Sequence, residues 1–257
     1  MLTRNKDNWE ATLYVGIAKN FGLKVNADSF ENMALSVDFS IVRKVASGIG
    51  GLEALFFGQA NLLSGNCEAD YFKKLKEAYN FLKEKFKLTP ISSCEIQFFR
   101  LRPTNFPTIR LSQLASLYQL HPGLFSKIIE TDIIDDFYEL LNVATSRFWE
   151  THYTFEKVSK KSKKKLTKSF VDSLLINTII PLKFIYLKSL GKSDFSALVS
   201  IIEKIKPERN STISHFDALK IKAKNAFETH GLLQMKNEYC DRKRCLECVA
   251  GKELITG

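Results

Sequence analysis

The chain has 257 residues, of which 45% are hydrophobic and 26% charged, and carries a formal net charge of +10. That length buries a sizeable core, as one large domain or two lobes, and the ordinary charged share excludes a disordered chain. The positive balance selects anionic partners, nucleic acid first, unless the lysines only solvate helix surfaces.

Five cysteines and a polar start, with no apolar leader, predict reduced thiols and a cytoplasmic location rather than a disulfide framework. Behind Asp7, the residues Trp9, Leu13, Ile17 and Phe21 line one face of a first helix that Gly22 is placed to stop. Asn26 or Asp28 caps a second helix with Phe30, Met33 and Leu35, and Asp38 a third with Ile41, Val42 and Val45. A glycine cluster at 48–51 precedes the apolar run 52–60, where Gly58 and Ala60 predict close helix packing. The clearest helix starts at the cap Asp70 and carries Phe72, Leu75, Tyr79, Leu82 and Phe86 at spacings of three and four. Residues 94–101 form the one candidate strand.

Residues 98–110 contain three arginines, two prolines and three phenylalanines. Each proline pushes the residue before it out of the α region, so Arg102 and Phe106 are expected extended. The segment reads as a stiff strap that buries Phe106 and Ile109 while Arg100, Arg102 and Arg110 face a phosphate, a carboxylate or a helix end. Helices follow near 110–120, 123–130 and 133–143, and another through 147–153 that clusters Trp149, His152 and Tyr153. That cluster is either core or a platform for stacking a base. The run Lys160, Lys161, Lys163, Lys164 and Lys165 is a basic break, expected to be a mobile loop that attracts phosphates or is simply solvated.

A long helix over 169–190 is bent at Pro181 and stopped by Gly191. Its apolar stretch, 171–187, is interrupted by Asp172, Asn177, Pro181 and Lys183 and reads as too short and polar to span a bilayer, so no membrane role is expected. A helix near 194–205 and a stripe from Phe216 to Phe227 complete a pattern without βαβ alternation or repeats. The expected fold is all-α, in two packed helical lobes. Residues 1–158 form the first lobe including the strap, 159–168 a basic loop, and 169–257 a second lobe with a cysteine-rich tail. Phe170, Leu174, Ile179 and Leu182 need a partner face, so the second half is expected to dock.

The sharpest chemical signal is Cys240, Cys245 and Cys248. A two-residue spacer brings two thiolates to one side of a metal, zinc being the expected ion. A fourth ligand would come from Cys67, Cys94 or His230, and an iron–sulfur cluster makes the same demand. Arg242, Lys243 and Arg244 would lower the thiol pKa values. No phosphate loop, dinucleotide fingerprint or nucleophile elbow is present, and Glu95 lacks a partner carboxylate at nuclease spacing.

The order of motifs resembles the domain of unknown function 2851 family of bacterial proteins. The resemblance rests on 7–14, 52–60, 100–115, 148–153, 176–181 and the terminal cysteine segment, and so extends over almost the whole chain. It implies that longer members carry an N-terminal region like a restriction-type, metal-dependent nuclease core. This chain would then be the accessory part, matching the family's C-terminal portion. The expected function is a helical nucleic-acid-binding or scaffold module, partnered by DNA, RNA, another protein or that catalytic region. The alternatives are an enzyme using the strap arginines with His152 or the cysteines, and a purely structural or protein-interaction module.

Overall fold

The structure is a computed structural model that describes residues 2–3, 7–46, 48, 50–91 and 96–256. Helices dominate, and among the described residues there is no strand, only two isolated antiparallel bridges. The chain gathers into two compact units, residues 1–131 with 135–190, and residues 132–134 with 191–257. The units divide at Gly191, whose φ of +77° ends the preceding helix, and not within the lysine run where the sequence placed a boundary.

In the first unit, α1 (Trp9–Phe21) starts where the Asn8 side chain accepts the Ala11 amide. Leu13 to Ala18 are all buried, which makes α1 a central helix rather than an amphipathic surface one. Gly22 does not stop the chain. A Cβ there would lie 2.3 Å from the Asn26 carbonyl oxygen, so glycine is required for α2 (Leu23–Leu35) to follow at once. Around α1 pack α2, α3 (Phe39–Ala46), α6 (Pro107–Leu120) and α7 (Leu124–Glu130), while α4 (Gly51–Gln59) packs on α3, α6 and α5 (Asp70–Phe86) and reaches α1 through Phe56. Tyr14 is the aromatic centre, within 5.2–6.0 Å of the Phe39, Phe56 and Tyr118 rings.

Gly58 of α4 lies against the Tyr79 ring of α5, where a Cβ would come within 2.1 Å, as its small size in an apolar run suggested. Beside it, the Tyr79 hydroxyl donates to Gln59 Oε1 at 2.7 Å, and Gln59 Nε2 donates to Ser36 Oγ at 2.9 Å.

After α8 (Ile134–Leu140), the long helix runs from Lys168 to Ser189 as α9 (Lys168–Leu174), a π-helical segment Leu175–Ile179, and α10 (Ile180–Ser189). It has 22 residues, and an 18-residue window within it has a mean hydropathy of 1.5, so by length and composition alone it is long and apolar enough to cross a membrane, as buried core helices also are. Its apolar side is instead occupied: Phe170 meets Phe21 edge-on at 5.0 Å, and Leu174, Leu175 and Ile179 are buried. Lys183 is also buried and donates to the Ile128 carbonyl at 3.2 Å and to that of Thr131, stabilising the C-terminal end of α7.

The second unit contains α11 (Ser196–Glu203), α12 (Ser211–Ala218), α13 (Ala226–Gln234) and α14 (Val249–Thr256). Asn210 and Asn225 cap α12 and α13, and Leu198, Ile201, Ile213 and Ala226 are buried.

Candidate nucleic-acid interface

Both basic segments are anchored on α6. Arg102 and Phe106 have ψ of 145° and 143°, extended as their prolines require, but residues 103–105 between them close a 3-10 turn rather than an extended strap. The turn delivers Pro107 to the first position of α6, where its missing N–H costs nothing. Upstream, the buried Asn26 side chain pairs with the Gln97 backbone in both directions, at 2.9 and 2.8 Å, and Phe98 meets Phe106 edge-on at 5.3 Å. Ile109 is fully buried, whereas Phe106 is only half-buried. Of the candidate strand, 96–101 is irregular, and 92–95, including Cys94 and Glu95, lie outside the described residues.

The lysine run is pinned along its length. Thr145 and Leu166 donate backbone N–H groups to Lys164 and Val143 at 3.1 and 3.0 Å, and Ser159 and Ser162 donate to Thr151 and Glu150 at 2.6 and 2.8 Å. Two side chains of α6 hold this ladder: Thr108 Oγ1 donates to the Tyr153 carbonyl at 2.6 Å and Gln113 Nε2 to the Lys164 carbonyl at 3.1 Å. This pairing also explains why 147–153 is not the expected helix. After a 3-10 turn at Arg147–Glu150, the backbone groups of 150–152 face the lysine segment.

The sequence grouped five lysines and three arginines as one set, and the structure divides them. Arg110 is buried: its guanidinium donates to Gln113 Oε1 at 3.0 Å and Asn105 Oδ1 at 2.7 Å and lies 3.9 Å from the centre of the Phe170 ring. Burial pulls its pKa down to about 10. Lys164 is likewise buried, donating to the carbonyls of Trp149 and Glu150 (3.0 Å for the latter) above the Tyr153 ring, and desolvation lowers its pKa. Neither is placed to grip a ligand; both hold the two basic segments to the core. Trp149 is fully buried and stacked on Phe57 at 5.4 Å, so it is core as well.

Arg100, Arg102, Lys160, Lys161, Lys163 and Lys165 are exposed. Lys161 lies 3.7 Å from a Glu150 carboxylate oxygen, and among the described residues the other five have no carboxylate partner. Phe99, 75% exposed, stands 5.2 Å from the Arg100 guanidinium. His152 ends a ladder of rings, stacked on Phe148 at 4.1 Å, which is stacked on Tyr71 at 4.2 Å. Its outer side opens on a cleft of about 510 Å³ shared with Cys67 and Phe155. Tyr153 is half-buried beneath Lys164.

One node went unseen in the sequence. Glu53 is buried in α4 and accepts from the Tyr71 hydroxyl and from Ser112 Oγ of α6, while Ser112 Oγ accepts the Ser146 amide at 3.0 Å. Burial and the Glu53 carboxylate raise the Tyr71 pKa. A lone carboxylate within the apolar run 52–60 was the available signal.

The cysteine tail lies in the second unit. Cys240 and Cys245 are exposed and Cys248 half-buried, all as free thiols. Among the described residues no three His, Cys, Asp or Glu side chains gather as a metal would require. Arg242 pairs with Glu238 at 3.1 Å, Arg244 with Glu247, and His230 with Glu208 at 3.4 Å, so these groups face carboxylates.

A family model described as a protein of unknown function (DUF2851) matches residues 1–211, which takes in both basic segments and leaves the cysteine tail outside. No curated protein and no solved structure matches the chain.

Proposed function

Since the chain belongs to the DUF2851 family, whose description assigns no activity, we propose from the geometry of its first unit that it is a nucleic-acid-binding module. The observation that carries this reading is the division of its cations. Arg110 and Lys164 are buried as anchors, and the segments they hold present Arg100, Arg102, Lys160, Lys163 and Lys165 to solvent without carboxylate partners among the described residues. Exposed, unneutralised cations held by an ordered backbone attract a polyanion without reading its sequence, and the exposed Phe99 supplies a ring on which an unpaired base stacks. The module acts in the cytoplasm, where its free thiols persist, and positions nucleic acid for a catalytic partner rather than cutting it.

Anisotropy of labelled duplex DNA, single-stranded DNA and RNA of mixed sequence tests this. Binding is expected at low salt, weakly dependent on sequence and weakened steeply by added salt. The double variant Arg100→Ala/Arg102→Ala is expected to lose affinity while melting like the parent. Absence of binding to all three polymers at low salt overturns the proposal.

A further inference from the structure

In the first unit, a cavity of about 420 Å³ that no residue of the basic segments lines opens between α1 and the long helix, with Trp9, Gly16, Asn20, Thr178, Pro181 and Leu182 among its lining. This volume is within the range of small-ligand pockets, about 300–1,000 Å³. The π segment shapes it: the Ile180 amide reaches back five residues to the Leu175 carbonyl, and the widened turn sets Thr178 against α1. There Thr178 Oγ1 accepts from Asn20 Nδ2 at 2.5 Å and donates to the Gly16 carbonyl at 3.3 Å. Asn177, also on the lining, has its Nδ2 engaged with Ser173, at 2.9 Å to the carbonyl and 3.2 Å to Oγ.

The Asn177 amide N–H₂ is therefore committed within the protein, while Asn20 Nδ2 spends one of its two N–H donors on Thr178. The side-chain Oδ1 atoms of Asn20 and Asn177 have no partner among the described residues. Lys19, at the same rim, is paired with Glu31 at 2.6 Å, so its charge does not select an anion. The cavity thus offers apolar walls, Trp9, Pro181 and Leu182 among them, and the side-chain oxygens of Asn20 and Asn177 as hydrogen-bond acceptors on its lining. We propose that it binds a planar heteroaromatic ring bearing an exocyclic amino group, of the adenine type, with the ring between the apolar walls and the amino group donating to the asparagine Oδ1 atoms.

This site is independent of the basic surface. Calorimetric titration of the whole chain with adenosine, inosine and hexanamide tests it, because inosine keeps the fused ring but lacks the amino group and hexanamide has no ring. Adenosine is expected to bind saturably and inosine about tenfold more weakly, the scale of one lost pair of good hydrogen bonds. Asn177→Ala, at an exposed position, is expected to erase most of that difference, and Ile185→Trp, at the half-exposed mouth, to block adenosine without lowering the melting temperature. Lys163→Ala/Lys165→Ala is expected to leave adenosine binding unchanged, which separates this site from the polyanion surface. Equal binding of the two nucleosides, heat from hexanamide alone, or no saturable heat with adenosine each overturns the inference.

Discussion

Single side chains govern how this protein responds to alkali. Tyr14 and Tyr118 are fully enclosed, and burial raises their pKa values above the ordinary value near 10. Tyr71 and Tyr138 are raised by burial and by Glu53 and Asp172, and Tyr79 is pushed by burial to about 12. Groups held protonated in the fold contribute stability that is complete below pH ~10 and is lost as pH rises through their folded values. Arg110 acts with the opposite sign. Lowered to about 10, it releases its proton in the fold before the unfolded chain does, which favours the fold between about 10 and 12.5. Five phenols outweigh one guanidinium, so the chain is expected to unfold cooperatively above pH ~10. Tyrosinate absorbance should rise together with the loss of helical circular dichroism; tyrosines that ionise with the helices intact would contradict this. At Gly58 the sign is simpler. Gly58→Ala drives a methyl into the Tyr79 ring and is expected to lower stability by about 1–3 kcal/mol in urea unfolding.

At the scale of elements, the lysine segment is the informative case. Lys164→Ala leaves the Trp149 and Glu150 carbonyls without their donor and is expected to cost about 1–3 kcal/mol. Its neighbour Lys163, exposed on the same strand of chain, is expected to change stability by less than about 0.5 kcal/mol on the same substitution. Thermal melts of the two variants compare them directly, and equal melting temperatures would contradict the anchoring role. The sequence could not separate these lysines, because composition marks a basic run as solvated while burial of one member depends on α6, some fifty residues earlier. Helix existence was legible for α1, α5 and the long helix, since the spacing along each is set by the helix's own turn. The 147–153 segment was misread for the converse reason: its backbone pairs with 158–162, and that pairing has no local signature. Glu53 was missed likewise, and Asn26, read as a cap for the second helix, lies inside α2 with its side chain on Gln97; the partners of both are remote in sequence.

For the whole molecule, the first unit is a helical body around α1 with two pinned basic segments on α6. The family match over residues 1–211 includes that face, while the cysteine tail falls beyond it. The central claim is that buried cations hold the surface and exposed cations use it. The most direct measurement is the slope of log affinity against log salt for duplex DNA, with Lys160→Ala/Lys163→Ala/Lys165→Ala beside the parent and a melt of each. If all three touch phosphates, the slope is expected to flatten by up to about 3 units with the melting temperature unchanged. An unchanged slope in a folded triple variant would contradict the account.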